Sequence, residues 1–382
     1  VIYMPTASNL TMDSILFENN QSNLVNIPGP SGVNPNHNVR LNRIYAYANG
    51  DSSVIVYSIG HDFALSNSEF KNNRGLLYLY DNTKIDSTIF ENNYGDFTKY
   101  GVLGFEINEC SFIDNKTNGR FISSMKNGTE LNHFSVTKSS FKNTISNGLL
   151  YVVSDSINVD SSEFASSSNG KMEFINYRYA NISRSVYNDN HNAYWHFSGG
   201  SSTIYDNYLT NFYGNSIWNN TTESESGNLF DFDSNADSVV ISNNTIASNV
   251  SGSIIEFHGC HPEMYNNTIT GNVNATDLIQ AYPADLKLEG NIILGNSLDK
   301  KENYSNHGTE TIFVRLSTID YKNNILPCVV DGGDVHLNSI SQEILDNNIL
   351  SIFDNSSDNI HEELKNIPNR NEEILTTLFE GK

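Results

Sequence analysis

A short pattern recurs along this chain and constrains its fold more than any other feature. An apolar residue is followed three positions later by a small polar residue and five positions later by a second apolar residue, as in "MYNNTITGN" from Met264. Copies return about every 22 to 24 residues, with some longer intervals. Repeats of this length, with period-2 alternation inside them, indicate a solenoid of stacked coils built from short strands.

Aligning fourteen copies of the pattern gives two apolar columns and one polar column. The first apolar column contains Met12, Val39, Leu65, Ile85, Ile107, Val136, Val159, Ile182, Ile204, Ile241, Met264, Leu288, Tyr321 and Leu345. The second contains Phe17, Ile44, Phe70, Phe90, Phe112, Phe141, Phe164, Tyr187, Leu209, Ile246, Ile269, Ile293, Leu326 and Leu350. The polar column contains Ile15, Asn42, Ser68, Thr88, Cys110, Ser139, Ser162, Ser185, Asn207, Asn244, Asn267, Asn291, Asn324 and Asn348.

The polar column ends in an unbroken run of Asn, which predicts a ladder of side-chain hydrogen bonds. Coils stacked at the strand spacing of about 4.8 Å bring identical side chains into line. An Asn at an inward bend can donate its amide to the next Asn and also bond the bent backbone. The predicted ladder residues are Asn207, Asn244, Asn267, Asn291, Asn324 and Asn348. The aromatic residues of the second column should stack ring on ring beside them.

Composition excludes several classes of partner. The formal net charge is -22 and Lys and Arg total only 22, so no nucleic acid partner is expected. No apolar run reaches the length of about 18 residues that spans a bilayer, so no membrane insertion is expected. The 3 Cys residues form no framework of pairs, and disulfides should not hold the fold together. The 20 Phe and 20 Tyr supply apolar surface for an ordered core.

The two ends of the chain differ in pattern. After Leu350 the repeat fades, and "NEEILTTLFEGK" has acidic residues first and apolar residues at helical spacing. This predicts a short C-terminal capping helix, with the coils in residues 1–355 and a cap or tail in 356–382. The chain opens "VIYMPTASNL", without an initiator Met, signal-peptide regions or a cap. We therefore expect a segment of a longer protein, with further coils or another chain in front of Val1.

Four longer intervals predict loops on the rod, at residues 26–38, 116–133, 213–228 and 297–311. Loops on a rigid scaffold frequently carry binding residues. Trp218, in the third of them, is a candidate for stacking on a sugar ring or for packing the base of its loop.

The F-x-x-N phrases carry a resemblance to known proteins. "FENN" at Phe17 and Phe90, "FKNN" at Phe70 and "FIDN" at Phe112 resemble the repeat of polymorphic outer membrane proteins. With "YNNTITGN" they also resemble the Asn- and Ser-rich adhesin-like surface proteins of methanogenic archaea, and the lack of a G-G-A-[ILV] motif puts this second group first. The resemblance covers about residues 12 to 350. It implies an all-β, right-handed parallel β-helix of the pectate-lyase-like superfamily, with about 14 coils, exported and displayed on the cell surface.

Parallel β-helices also include polysaccharide lyases and hydrolases, so the outward side chains matter. The N-T-D, D-D, G-H-G and R-I-K motifs of pectinolytic hydrolases do not occur. Alternation predicts that Phe230, Phe232, Ile255, Phe257, Trp195 and Phe197 point inward. The outward neighbours and candidate catalytic residues are Asp231, Asp233, Glu256 and His258, with Tyr194 and His196 beside them.

Two carboxylates one coil apart with His beside them could bind a metal ion or perform acid-base work on a sugar. The alternative interpretation is a solvated polar face on an acidic protein. In "HGCHP" the spacing of His258, Cys260 and His261 resembles a metal cluster, but without a third suitable ligand a turn is favoured. No cofactor is predicted, although the acidic strand face could take calcium.

The sequence thus favours an extracellular adhesin or structural display module that binds surface glycans or proteins without catalysis. A polysaccharide-active enzyme that uses the outward carboxylates is the first alternative. A filament subunit that self-associates by end-to-end stacking of coils is the second.

Overall fold

The computed structural model describes most of the first three hundred residues and short segments beyond them. The described ranges are 2–4, 9–21, 23–28, 38–50, 54–59, 62–80, 82–101, 104–126, 132–199, 209–222, 227–233, 238–274, 278–282, 284–294, 296–298, 312–314, 319–322, 324–326, 330–331 and 349–350. Within these ranges the regular elements are all β-strands. No helix of a length and hydropathy that would cross a bilayer occurs in them. The predicted capping helix in 356–382 lies outside the described residues.

One side of each coil belongs to a 14-stranded parallel sheet. Its strands are Ile2–Tyr3, Val25–Ile27, Val54–Ser58, Leu76–Tyr80, Phe97–Gly101, Ile122–Lys126, Leu150–Val153, Met172–Tyr177, Trp195–Gly199, Phe230–Phe232, Ile255–Phe257, Ile279–Ala281, Ile312–Val314 and Val330–Asp331. Each strand pairs in parallel with the corresponding strand one coil later, as Phe230 does with Ile255. The predicted solenoid of about fourteen stacked coils is therefore confirmed.

The other side of the coils forms a 25-stranded sheet whose strands fall into two columns. The column of longer strands contains Asn9–Glu18, Asn38–Tyr47, Asp62–Ser66, Thr83–Asp86, Phe105–Asn108, His133–Thr137, Ser156–Asp160, Tyr179–Ser183, Leu209–Tyr213, Ser238–Ser242, His261–Tyr265, Leu286–Glu289 and Ile319–Lys322. The column of short strands contains Glu69–Lys71, Ile89–Glu91, Ser111–Ile113, Ser140–Lys142, Glu163–Ala165, Val186–Asn188, Ser216–Trp218, Thr245–Ala247, Thr268–Thr270, Ile292–Leu294, Ile325–Leu326 and Ile349–Leu350. A third sheet contains Val250–Ser251, Val273–Asn274 and Ser297–Leu298.

A residue in the left-handed backbone conformation marks the corner on each side of the short strand. In the coil of Phe90 these corner residues are Ser87 (φ 47°) and Asn92 (φ 53°). Gly, Asn and Asp adopt this conformation at the lowest cost, which accounts for the many Asn, Asp and Gly residues at the corners. Other residue types also occupy corners, among them Arg43, Lys138 and Arg184. The residue after each corner turns its side chain into the interior, as Thr88 and Asn93 do.

The predicted Asn ladder forms after the first of these corners. The backbone N–H and the Nδ2 of Asn244 both donate to Oδ1 of Asn267 at 3.0 Å, and Asn267 repeats this with Asn291. Asn291 does the same with Asn324. Nδ2 of Asn267 also donates to the carbonyl oxygen of Ile241 at 2.8 Å, so the side chain bonds the bent backbone. The ladder prediction is confirmed for these four Asn residues, and Asn348 lies outside the described residues.

Earlier coils use Ser in the same column. The backbone N–H of Ser139 donates to Oγ of Ser162 at 3.2 Å, and Ser162 to Ser185 at 3.1 Å. The N–H of Ser185 then donates to Oδ1 of Asn215 at 3.0 Å, which joins the Ser steps to the Asn steps.

A second Asn ladder, which the sequence alignment missed, forms after the other corner. It consists of the final Asn of the F-x-x-N phrases, three residues after the second apolar column. Its two runs are Asn20, Asn49, Asn73, Asn93 and Asn115, and Asn190, Asn220, Asn249, Asn272 and Asn296. The F-x-x-N motif, which carries the family resemblance, is thus the sequence signal that could have located this ladder.

The aromatic residues of the second apolar column stack between the two ladders, as predicted. Ring centroids are 5.0 Å apart for Phe90 and Phe112, 4.5 Å for Phe112 and Phe141, and 4.9 Å for Phe141 and Phe164. The planes of these pairs differ by 3°, 8° and 4°. The stack continues to Tyr187, and all these rings are buried.

The predicted register is wrong in the second coil. Leu41, Ile44 and Ala46 continue the three columns there, two positions later than the predicted Val39, Asn42 and Ile44. Because side chains alternate with period 2, a shift by two residues keeps the same face inward. Val39 is buried as well, so the apolar pattern alone could not distinguish the two registers.

The predicted register is also wrong in the ninth coil. Phe212, Asn215 and Ile217 continue the columns there, whereas the predicted ladder residue Asn207 lies outside the described residues. Both segments fit the pattern, but Gly214 supplies the left-handed corner before Asn215 (φ 64°). The insertions predicted at 116–133 and 213–228 are wrong in part, because they contain the strands Ile122–Lys126 and Ser216–Trp218.

Replacement of a ladder Asn should destabilise the fold far more than replacement of a surface Asn. We expect Asn249→Ala to lower the free energy of unfolding by about 2–4 kcal/mol, because buried groups left without a partner cost about 1–3 kcal/mol each. Its Oδ1 accepts from the N–H and Nδ2 of Asn220, and both bonds would be lost. Asn147→Ala, at an exposed position, is the matched control and should change this free energy by at most about 0.5 kcal/mol. Urea unfolding followed by circular dichroism measures both, and equal effects would contradict the ladder's role.

Candidate functional site

The outer face of the 14-stranded sheet carries one side chain per coil in a continuous line, here called the outer row. In register along it lie Tyr57, Tyr78, Thr98, Ser123, Tyr151, Glu173, His196, Asp231, Glu256 and Gln280. Neighbours in such a row are one strand spacing apart, about 4.8 Å. The row therefore places unlike chemical groups from distant parts of the chain next to each other.

The inward and outward assignments made from the sequence hold in this part of the sheet. The residues predicted to point inward are buried: Trp195, Phe197, Phe230, Phe232, Ile255 and Phe257. Asp231 pairs in register with Glu256, one coil later. Both side chains are only 16% exposed, so they lie partly sunk in the surface and are not fully solvated.

Asp231 is held from one side by the preceding coil. The Tyr194 hydroxyl donates to Oδ2 of Asp231 at 2.8 Å, and Nδ1 of His196 lies 3.1 Å from the same oxygen. The Tyr194 hydroxyl is also 3.2 Å from Nδ1 of His196. These contacts fix one carboxylate oxygen in place. The other, Oδ1, is buried without a hydrogen-bond partner.

His258 completes the cluster on the other side. Its Nε2 lies 3.0 Å from Oε1 of Glu256 and 4.0 Å from Oδ1 of Asp231. One donor atom from each of Asp231, Glu256 and His258 can be chosen so that the three lie within 4.8 Å of one another. Among the described residues, this is the one such group of three or more His, Cys, Asp and Glu side chains. Asp233 lies on the same outer face, and its N–H donates to the carbonyl of Phe197 at 2.9 Å.

Electrostatics in the cluster favour charged forms. Burial tends to raise the pKa of Asp231, but hydrogen bonds from His196 and Tyr194 and the two nearby histidines lower it below its usual value. The hydrogen bond with Glu256 raises the pKa of His258 above its usual value, against the opposing effect of burial. Burial and the Asp231 carboxylate raise the pKa of Tyr194, so its hydroxyl remains a donor.

The "HGCHP" segment does not form a metal cluster of its own. His258 faces Glu256, whereas Cys260 is buried as a free thiol and burial raises its pKa to about 12. His261 lies in an exposed position with Nδ1 3.7 Å from Asp285. Trp218 ends a short strand of the 25-stranded sheet, 39% exposed, and so lies on a strand face and not in a loop.

Cationic and aromatic residues extend the site along the outer row, and the sequence analysis did not identify them. The Arg120 guanidinium lies 3.4 Å from the ring centroid of Tyr151 and 2.8 Å from Glu173. Nζ of Lys171 lies 3.2 Å from Glu173 and 5.3 Å from the ring centroid of Tyr194. Aligning the sheet strands by their buried residues would have placed Tyr151 and Glu173 in one row with Asp231, whereas Arg120 and Lys171 lie beside that row, just before their strands.

A shallow groove of about 550 Å³ lies on the other face of the solenoid, over the longer strands of the 25-stranded sheet. Its charged centre is Glu106, which pairs with Nζ of Lys84 at 2.9 Å and Nε2 of His133 at 3.0 Å. The His133 ring covers Gly104, where an added Cβ would overlap it. In this groove the carboxylate of Glu106 is thus already paired with a lysine as well as with a histidine.

The comparison with known families bears on the fold. Residues 125–293 match the family described as the right handed beta helix region. The fold is a right-handed parallel β-helix. The matched residues include Asp231, Glu256 and His258, so the cluster lies in the part of the β-helix that the family describes. No curated protein matches the chain.

The charge state of His258 should depend on Glu256. We expect the pKa of His258 to lie above its usual value in the wild type and to fall in Glu256→Gln, because the hydrogen bond to that carboxylate is the largest cause of the increase. Because the pKa of His258 is higher in the folded than in the unfolded state, the pair with Glu256 stabilises the fold fully at a pH below the pKa of the unfolded state. This stabilisation is lost as the pH rises through the pKa of the folded state. Two-dimensional NMR of the imidazole signals as a function of pH, in metal-free buffer, measures the pKa of His258. His261 in the same spectra is the internal control, and an unchanged His258 titration would contradict the pairing.

Proposed function

We propose that the protein is an extracellular surface module that binds glycans, with the outer row of the 14-stranded sheet as its binding surface. The observation that carries this proposal is the outer row itself, one outward side chain per coil, in which tyrosines (Tyr57, Tyr78 and Tyr151) precede carboxylates (Glu173, Asp231 and Glu256). The cations Arg120 and Lys171 lie beside this row. An extended polysaccharide also repeats its ring faces and hydroxyl groups at a fixed axial interval. The regular axial spacing of the outer-row side chains is therefore suited to binding an extended polysaccharide.

The aromatic groups of the outer row favour sugars over other extended ligands. The rings of Tyr57 and Tyr78 stack at 5.2 Å with planes 7° apart, so each ring covers its neighbour. Side chains packed in this way present ring edges and phenolic hydroxyls to an approaching molecule. Aromatic groups with one polar end are well suited to contact with sugar rings and hydroxyls.

The net charge of the protein disfavours acidic glycans as ligands. The formal charge of -22 repels polyanions at long range. Arg120 and Lys171, the cations next to the outer row, are already paired with Glu173. We therefore propose a neutral or amino-sugar polysaccharide and not an acidic one.

A polysaccharide-cleaving enzyme is the second candidate, and the cluster of Asp231, Glu256 and His258 favours it. Retaining glycosidases hold two carboxyl groups about 5 Å apart on either side of the bond that is cleaved. Asp231 and Glu256 are register neighbours, with donor atoms inside 4.8 Å. Their location within the proposed binding row would bring a bound chain to them.

Loss of a ring from the outer row should weaken glycan binding. We expect Tyr151→Ala to raise the Kd for a neutral or amino-sugar polysaccharide about fivefold, because the lost contact and hydrogen bond are worth about 1 kcal/mol. Tyr179→Ala, which removes a ring 41% exposed on the 25-stranded sheet, is the matched control and should leave Kd unchanged. Binding measured on a glycan array and by calorimetry tests this. Binding to proteins alone, or equal losses in both variants, would contradict the proposal.

Catalysis is tested separately on the same polysaccharides. For a non-catalytic module we expect no new reducing or unsaturated ends after prolonged incubation with wild-type protein. Product that forms with the wild type and disappears in both Asp231→Asn and Glu256→Gln would establish the enzyme instead. Glu173→Gln, two coils before Asp231 in the same row, is the control for a general effect on the surface.

A further inference from the structure

We propose that Asp231, Glu256 and His258 bind one zinc ion on the outer face of the β-helix. This inference does not depend on glycan binding, because it follows from the donor atoms alone. One oxygen from each carboxylate and one imidazole nitrogen lie within 4.8 Å of one another. Zinc ligands at about 2.0–2.2 Å from the ion are about 3.3 Å apart in a tetrahedral site. Small side-chain rotations would therefore bring the three atoms to bonding distance.

The fold brings these ligands together on rigid elements. Asp231 and Glu256 occupy paired positions on the adjacent strands Phe230–Phe232 and Ile255–Phe257. His258 follows the second strand by one residue, and its N–H donates to the carbonyl of Phe232 at 2.8 Å. The buried phenylalanines below anchor both strands, since Phe232 and Phe257 stack at 5.4 Å. The positions of the three side chains are thus set by the core and not by a loop.

A buried carboxylate oxygen without a hydrogen-bond partner is a second observation that favours a cation at this cluster. Oδ2 of Asp231 has two hydrogen-bonding contacts, with Tyr194 and His196, but Oδ1 is buried with none. A buried carboxylate oxygen that lacks a partner is costly. Oδ1 is also the oxygen that faces His258, at 4.0 Å from Nε2. An ion between these atoms would satisfy Oδ1 and give His258 and Glu256 a common partner.

Tyr194 and His196 provide the supporting contacts that metal-binding carboxylates usually have. Both bind Oδ2 of Asp231 and so leave Oδ1 directed toward Glu256 and His258. Such outer contacts orient a ligand, and their loss typically costs 10- to 100-fold in metal affinity. Tyr194 and His196 are therefore positioning residues in this proposal.

The donor set selects zinc over calcium, the ion that the acidic sequence suggested. Calcium prefers six to eight oxygen ligands, whereas imidazole nitrogen with carboxylate oxygen suits zinc. Three protein ligands also leave a fourth position of a tetrahedral zinc site open. His258 is 38% exposed, so that position would be reachable from solvent.

The groove on the opposite face provides a matched comparison. Glu106 and His133 have the same 3.0 Å carboxylate–imidazole contact as Glu256 and His258. There, however, Nζ of Lys84 lies 2.9 Å from Glu106 and supplies the positive charge. We expect no zinc binding at that pair.

Calorimetric titration of the metal-free chain with Zn²⁺ alone tests the proposal. We expect one site per chain, loss of this site in His258→Ala and in Glu256→Gln, and a Kd about tenfold higher in Tyr194→Phe. His133→Ala should bind zinc as the wild type does. Cobalt(II) in place of zinc should show visible absorption of a tetrahedral N,O site that disappears in His258→Ala.

Circular dichroism of each variant separates loss of the site from loss of the fold, and Glu256→Gln keeps the shape of the side chain. Zinc binding that persists in both His258→Ala and Glu256→Gln would overturn the proposal. So would calcium binding equal to zinc binding at this site, or the absence of one-to-one zinc binding by folded wild-type protein. Glycan binding measured with a chelator present is a separate readout, so failure of either proposal can be recognised without the other.

Discussion

The hydrogen bonds that pass from coil to coil through buried side chains are the constraint on which the rest of the structure depends. A buried amide must find partners for both its oxygen and its nitrogen. In these ladders Asn267 accepts from the preceding coil, donates to the following one and bonds the backbone of Ile241. Each ladder step therefore fixes the axial spacing of two neighbouring coils, their rotation relative to each other and the backbone geometry at the corner. The stacked rings of the Phe column and the alignment of the outer row both follow from that fixed registration.

Much of this could be predicted from the sequence, because the repeated element is short and its physical requirements are strict. The position of Asn244 between two apolar residues was sufficient to predict the first ladder and the all-β solenoid. The F-x-x-N phrase resembles a family signature, and its final Asn, for example Asn93, belongs to the second ladder. A phrase that identifies a family also has a physical cause, and here that cause is the buried amide after the corner.

The two errors of register share one origin, which is that period-2 alternation does not encode register. Val39 and Leu41 are both buried, so apolar pattern could not choose between them. The candidate site was predicted one strand at a time, and the adjacency of Asp231 and Glu256 followed correctly from the repeat length. The contacts of Arg120 with Tyr151 and Glu173 could not be predicted in this way, since they depend on side-chain reach across coils of unequal length.

In the described coils the two ladder positions are separated by the same number of residues, as Ser68 and Asn73 are and as Asn244 and Asn249 are. The remainder of the coil varies in length. All variation in coil length is therefore confined to the part of the circumference that includes the 14-stranded sheet. The side of the rod that carries the two ladders, here called the spine, thus has a constant number of residues per coil, and the other side has a variable number. Because neighbouring coils within one Asn run offer the same bonds above and below, the coils of such a run are interchangeable units. Duplication or deletion of one coil would change the length of the rod and the composition of its outer row without disturbing the spine.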